Sequence, residues 1–140
     1  MNNIVLNGRS TVKELKELGE LMGLPLYFTM RDDIEHIPKN VKNVIINLSD
    51  DPKNGTHWVC CRILKDKILY FDSFGLIYPL ELHQYAKKNN KKIIHNIKQI
   101  QNINHGYCGA YCLLALYCMQ HNKDLEKDFG LKPIRSFPPI

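Results

Sequence analysis

An apolar helix is predicted to begin within Gln101-Asn-Ile-Asn-His-Gly-Tyr-Cys108-Gly-Ala-Tyr-Cys112 and to run to about His121. A cysteine on the first turn of a helix is well placed as a nucleophile, because unpaired backbone N–H groups and the positive end of the helix dipole stabilise a thiolate. The same N–H groups can hold an oxyanion, and Gln101, seven residues before Cys108, can add an amide donor. The stretch is typical of a cysteine hydrolase. The alternative is that Cys108 is a small buried side chain on a core helix, as most free cysteines are.

A second stretch predicts a β-hairpin. Residues 57 to 63 alternate in pattern, residues 68 to 71 form another β-prone run, and Lys65-Asp66 supplies the turn between them. With a two-residue loop, Val59 pairs with Asp72. His57 then lies one diagonal step from Asp72 on the same face of the hairpin. A three-residue loop would put the two positions on opposite faces.

The hairpin predicts the base that a nucleophilic Cys108 needs. His57 can accept the thiol proton and later protonate a leaving amine, while Asp72 fixes the tautomer of His57 and stabilises its imidazolium form. We therefore expect Cys108, His57 and Asp72 to act together. Asp72 has another interpretation, because an aspartate in Asp-Ser-Phe-Gly can simply cap a turn.

Length and composition limit the kind of protein. A chain of 140 residues is expected to form a single domain over 1–140. Its N-terminus lacks the pattern of a secretory signal, and its longest apolar run is too short to span a bilayer, so a soluble protein without membrane contact is expected. Five cysteines at irregular spacings do not indicate a disulfide framework. The formal net charge of +5 permits weak, salt-sensitive contact with DNA, but no recognition motif supports a dedicated binder.

The flanking segments predict an α+β domain. Thr11-Val-Lys-Glu14 is a capping box that opens a helix, and residues 41 to 48 form a largely buried strand. Pro79 can begin a helix that ends near Asn89. Residues 92 to 101 are predicted to be a strand in which Gln99 and Gln101 share a face. A central helix with the thiol is then expected to pack on a small mixed sheet with the His and Asp. The apolar face of the first helix is predicted to comprise Val12, Leu15, Leu18, Leu21 and Met22.

These motifs resemble those of a known family. Gly55-Thr-His57-Trp58, Phe71-Asp72-Ser-Phe-Gly75 and Gln101 before Cys108-Gly109-x-x-Cys112 occur in the order His, Asp, Gln, Cys. In this order they look like adenovirus-type (adenain-like) maturation proteases and the related ubiquitin-like-protein (SUMO) proteases. The spacing from Gln to Cys is more similar to the adenovirus type. The resemblance covers about residues 41 to 119, and the Asn-, Lys- and Ile-rich composition is similar to that of a virophage or Polinton-like element.

The resemblance implies a papain-like, ubiquitin-like-protease-type fold and a cysteine endopeptidase that matures viral capsid or core precursors. It implies Cys108 as nucleophile, His57 as base and acid, Asp72 as the residue that orients His57, and Gln101 as oxyanion donor. Asp72 stands where the adenovirus enzyme has glutamate. Trp58 and Gly109 are expected to contact substrate in a narrow channel that favours cleavage after Gly-Gly or Gly-X-Gly.

The resemblance also implies a setting for the protein. A monomer is expected in the virion and in the host cytoplasm or viral factory, with no cofactor or metal and at most weak activation by DNA. A deubiquitinase- or deSUMOylase-like isopeptidase and a non-catalytic binding module of the same fold are the alternative functions.

Several residues have competing interpretations. Gln99 is a rival of Gln101 on the same predicted strand face, and His105 is close to Cys108 but has no carboxylate placed by a strand. Trp58 could be a core aromatic. Cys112, one turn after Cys108, could form a zinc site with His57, although the paired Cys-x-x-Cys pattern is absent.

Overall fold

The computed structural model describes residues 11–48, 57–96, 98–100 and 107–129, together with the backbone of residues 135 and 136. It contains twelve elements over these residues: α1 (Val12–Leu21), β1 (Tyr27–Met30), a 3-10 helix (Arg31–His36), β2 (Asn43–Asn47), β3 (Trp58–Ile63), β4 (Lys67–Phe71), α2 (Leu80–Lys88), β5 (Lys92–His95), β6 (Lys98–Gln99), α3 (Cys108–His121), α4 (Leu125–Phe129) and β7 (Arg135–Ser136).

A mixed sheet of five strands is the centre of the described structure. The strands lie in the order β1-β2-β3-β4-β5. The central strand β3 is antiparallel to both β2 and β4, and the two outer strands are parallel to their neighbours. Strands β6 and β7 form a separate antiparallel pair. The α+β class with a small mixed sheet is confirmed.

Both faces of the five-stranded sheet are covered, because side chains alternate along each strand. One face packs against the 3-10 helix and α2, through residues that include Ile34, Val59 and Leu82. The other face packs against α3 and α1, through residues that include Cys60 and Leu116. The sheet is therefore the middle layer of three.

Helix α3 begins at Cys108, as the sequence predicts, and ends where Asn122 adopts a left-handed conformation with φ of 54°. Asparagine tolerates that conformation better than most residues, and the Lys123 N–H closes the helix by donating to the Cys118 carbonyl at 2.8 Å. Its buried positions include Cys108, Cys112, Leu113 and Leu116. The start of the helix lies next to the first residue of β3, so Cys108 is brought beside Trp58.

The capping box at the start of α1 is confirmed, since Thr11 Oγ1 accepts from the Glu14 N–H at 3.1 Å and Glu14 Oε1 accepts from the Thr11 N–H at 3.0 Å. The apolar residues that recur along α1 differ in burial. Leu15 is fully buried, whereas Val12 and Leu21 are 45% and 59% exposed.

The predicted strand over residues 92 to 101 is wrong as a single element. It stops at His95 and a short strand begins at Lys98, because Asn96 turns its side chain to the segment after β4. Strand β1 and the 3-10 helix were not predicted from the sequence. The predicted loop at residues 49 to 55 lies outside the described residues, as does position 101. Among the helices that the structure describes, none is both long and apolar enough to cross a membrane.

Candidate active site

The hairpin of β3 and β4 brings His57 and Asp72 together. Cys60 pairs with Phe71, and the Leu64 N–H donates to the Lys67 carbonyl at 2.9 Å, which leaves Lys65-Asp66 as the two-residue loop. This register is the one that the sequence predicts, and it sets Val59 level with Asp72. His57 Nε2 lies 2.7 Å from Asp72 Oδ1.

Cys108 lies beside this pair. Its Sγ accepts a hydrogen bond from the Trp58 N–H at 3.3 Å, so the residue after His57 holds the sulfur. Because Nε2 of His57 is engaged by Asp72, Nδ1 is the ring nitrogen left to face the thiol. The structure thus brings three residues together: His57 directly before β3, Asp72 directly after β4 and Cys108 at the start of α3.

The charge of His57 is set by its two partners. Burial by itself lowers the pKa of His57, but hydrogen bonds and negative charge from Asp72 and from Cys108 outweigh burial and raise the pKa from 6.5 to about 9. The side chain of Asp72 is 1% exposed and that of His57 is 21% exposed, so solvent screens the pair weakly. An imidazolium next to the Cys108 sulfur is therefore the form expected at neutral pH.

Asp72 also receives support from its own turn. Its Oδ1 accepts from the Phe74 N–H at 2.8 Å, and its carbonyl accepts from the Gly75 N–H at 2.8 Å. Gly75 has φ of 73°, a conformation that glycine adopts without strain. Asp72 therefore both caps the turn and contacts His57, because its Oδ1 accepts from the Phe74 N–H and also meets His57 Nε2.

Phe74 is a contact that the sequence analysis missed. Its ring stacks on His57 with centroids 4.2 Å apart and planes 5° from parallel. A stack of this kind restricts rotation of the imidazole while leaving its edge nitrogens free for hydrogen bonds. The available signal was an aromatic residue two positions after the candidate carboxylate.

Trp58 is a core aromatic, since it is only 5% exposed and packs edge to face on Phe28 with centroids 6.3 Å apart. It also borders a groove of about 320 Å³ together with Val12 and Met30. Its carbonyl accepts from the Cys112 thiol at 3.3 Å. The peptide groups of Trp58 thus contact both cysteines of the Cys108-Gly-x-x-Cys112 motif.

The remaining predicted residues have different outcomes. Gly109 is buried in the first turn of α3, and Gln99 is 5% exposed in β6. Gln101 and His105 lie outside the described residues. In the parts of the chain that the structure describes, no group of three or more His, Cys, Asp or Glu side chains is arranged to hold a metal ion.

Comparison with known proteins gives matches among solved structures only. No family model matches the chain. No curated protein sequence matches it either.

The crystal structure of the ASFV pS273R protease covers 88% of this chain and 61% of that one, with a TM-score of 0.61 and 14% identity. The SUMO protease Ulp1, with its catalytic cysteine oxidized to a sulfonic acid, has a TM-score of 0.43 at 17% identity over 64% of this chain and 47% of that one. ChlaDub1 from Chlamydia trachomatis has a TM-score of 0.45 at 14% identity over 77% and 61% of the two chains.

The chain shares its fold with the ASFV pS273R protease over most of its own length, in agreement with the predicted α+β protease-type architecture. It spans about three fifths of the length of the ASFV protease. At this level of identity the likeness establishes the fold, and the chemistry depends on the residues described above.

Proposed function

We propose that the chain is a cysteine endopeptidase that hydrolyses peptide bonds in protein substrates. The observation that carries this proposal is the contact between His57 Nε2 and Asp72 Oδ1 at 2.7 Å, next to the Cys108 sulfur at the start of α3. A base, its orienting carboxylate and a nucleophile within reach are what acyl transfer needs. The shared fold with the ASFV protease supports the same activity.

The reaction begins with attack of the Cys108 thiolate on the scissile carbonyl carbon. The C=O π bond opens, its electron pair moves to the oxygen, and a tetrahedral oxyanion forms. The imidazolium of His57 then donates its Nδ1 proton to the leaving amine as the C–N bond breaks, which leaves a thioester on Cys108. Neutral His57 next takes a proton from water, and attack of that water on the thioester releases the acid product and restores the Cys108 thiolate and the imidazolium.

The oxyanion is stabilised by backbone N–H groups at the start of α3. The first backbone N–H groups of a helix have no partner within the helix, and they lie at the positive end of its dipole. The Cys108 N–H is the donor nearest to the nucleophile. Gln101, seven residues earlier, supplies the second donor in this proposal.

The substrate proposed is a viral capsid or core precursor, cleaved after Gly-Gly or Gly-X-Gly. The motif order His57, Asp72, Gln101, Cys108 supports a viral maturation protease, and so does the viral source of the ASFV enzyme. In this proposal the substrate glycine passes Trp58 and Gly109 on its way to Cys108. We propose that the enzyme is a monomer that acts in virions or viral factories, with at most weak activation by DNA through its basic surface.

The test is incubation of the protein with the capsid proteins of its own genome, with cleavage measured by intact mass. We expect cleavage by the unchanged protein and by Cys118→Ala, which removes another cysteine of α3 away from His57, and none by Cys108→Ala. Equal cleavage by Cys108→Ala would refute the proposed nucleophile. If the capsid proteins survive but a ubiquitin-like protein is released from its conjugate to a lysine side chain, the activity is that of an isopeptidase. Stable binding without cleavage of either would establish a binding module.

A further inference from the structure

The hydrogen-bonded ladder between β4 and β5 ends just before the candidate carboxylate. Tyr70 is level with His95, and no later pair continues the two strands. Phe71 is the last residue of β4, so the backbone of Asp72 lies beyond the ladder. On the side that faces β5, Asp72 has no neighbouring strand to hold its backbone, unless another group takes the place of that strand.

The side chain of Asn96 replaces that strand. Its Oδ1 accepts from the Asp72 N–H at 2.9 Å, and its Nδ2 donates to the Asp72 carbonyl at 2.6 Å. Nδ2 also donates to the Lys98 carbonyl at 3.1 Å. The side-chain amide of Asn96 therefore hydrogen-bonds to both the N–H and the carbonyl of Asp72, as the backbone of an adjacent strand would.

A second contact holds the same two segments together. The Ile100 N–H donates to the Ser73 carbonyl at 2.8 Å, one residue after Asp72. Asn96 is half-buried in this region. With both backbone groups of Asp72 held, the direction in which its side chain leaves the backbone is fixed, and the carboxylate reaches His57 Nε2 and the Phe74 N–H.

We propose that Asn96 is a positioning residue, which acts on catalysis by holding the backbone of Asp72 so that the carboxylate meets His57. The role rests on the proposed protease function. Asn96 touches neither the nucleophile nor the base in the described structure; its effect passes through Asp72. Hydrogen bonds of an orienting residue set the alignment of a catalytic group, and small misplacements of such groups lower rates strongly.

The experiment compares Asn96→Ala and Asn96→Asp with Asn89→Ala as matched control. Asn89 is also a half-buried asparagine whose Nδ2 donates to a backbone carbonyl, that of Tyr85 at 2.8 Å, but it lies at the end of α2. Asn96→Asp keeps the size of the side chain and an acceptor for the Asp72 N–H. It loses the donor to the Asp72 and Lys98 carbonyls.

The first measurement is the titration of His57 by NMR, with the signal assigned from a His57→Gln variant. We expect Asn96→Ala to lower the pKa of His57 by about one unit, the lower end of what a nearby carboxylate contributes. Asn96→Asp adds a negative charge that opposes this fall, so that variant is judged by kcat. Asn89→Ala should leave the pKa of His57 unchanged. This readout needs no substrate, so it tests Asn96 even if no cleavage is found.

The second measurement is kcat on whichever precursor the unchanged protein cleaves. We expect a fall on the order of 10- to 100-fold in both Asn96 variants, with KM within a few-fold. The positioning role is refuted if a folded Asn96→Ala titrates and cleaves like the unchanged protein, or if a folded Asn96→Asp cleaves like it. It is also refuted if Asn89→Ala produces the same losses. If the pKa of His57 does not fall in Asn96→Ala, the positioning role is refuted whether or not the protein is a protease.

Discussion

The protonation state of His57 decides when the proposed reaction can run. With a pKa of about 9, the imidazolium that protonates the leaving amine persists through neutral pH. We expect kcat to hold between pH 7 and 8 and to decline as pH rises through about 9, because neutral imidazole cannot supply the proton. Asp72→Asn should move this decline to lower pH, since it removes a charge that raises the pKa of His57. A plateau that extends above pH 10 would contradict this assignment.

The same residue links pH to stability. The pKa of His57 is higher in the folded protein than the ordinary 6.5, so the native state binds more protons wherever pH lies between the two values. Its contribution is complete below pH 6.5 and is lost as pH rises through about 9. We expect the free energy of unfolding, measured by urea titration, to fall over this window relative to a His57→Gln variant. A difference between the two proteins that does not change with pH would count against the raised pKa.

At the level of elements, α1 offers a matched pair of leucines. Leu15 is fully buried against α3 and the sheet, and Leu21, on the same helix, is 59% exposed. Leu15→Ala should lower the free energy of unfolding by about 2–5 kcal/mol, because it removes buried methyl groups and leaves a cavity. Leu21→Ala should change it by less than about 0.5 kcal/mol. Comparable losses in chemical denaturation would mean that α1 packs through a different face.

Local patterns were enough to predict the elements that hold the candidate site. The alternation in β3 and the turn at Lys65-Asp66 specify a register, and register decides that His57 and Asp72 share a face. The start of α3 is marked by the change from the polar segment before Cys108 to an apolar run. These predictions succeeded because each depends on residues close together in the sequence.

Other features depend on contacts between distant segments, which a local pattern does not carry. The break at Asn96 interrupts a β-prone run because its amide pairs with Asp72, 24 residues earlier. Strand β1 is a run of four residues and has no clear alternation of buried and exposed positions. Helical periodicity identifies the apolar positions of α1, but it does not tell which of them the neighbouring layer covers, and Leu21 is largely exposed.

On the scale of the whole molecule, all five cysteines are buried thiols that take part in no disulfide. Burial raises the pKa of the Cys61 and Cys112 thiols, so these are expected to be inert. Brief treatment of the native protein with iodoacetamide at neutral pH should label Cys108 first, while Cys61 and Cys112 should react only on unfolding. Mass spectrometry of the peptides measures the order. If Cys108 were labelled no faster than Cys112 or Cys118, it would not be an activated nucleophile.

The middle position of the sheet has a consequence for heat inactivation. Cys108 belongs to a helix that is packed on one side of this layer, and His57 and Asp72 belong to the layer itself. Within the described part of the chain, none of these three residues belongs to a separate lobe that could melt early and leave the remainder intact. The proposed activity should therefore persist on heating until the cooperative transition and disappear within it, so that inactivation curves and melting curves coincide.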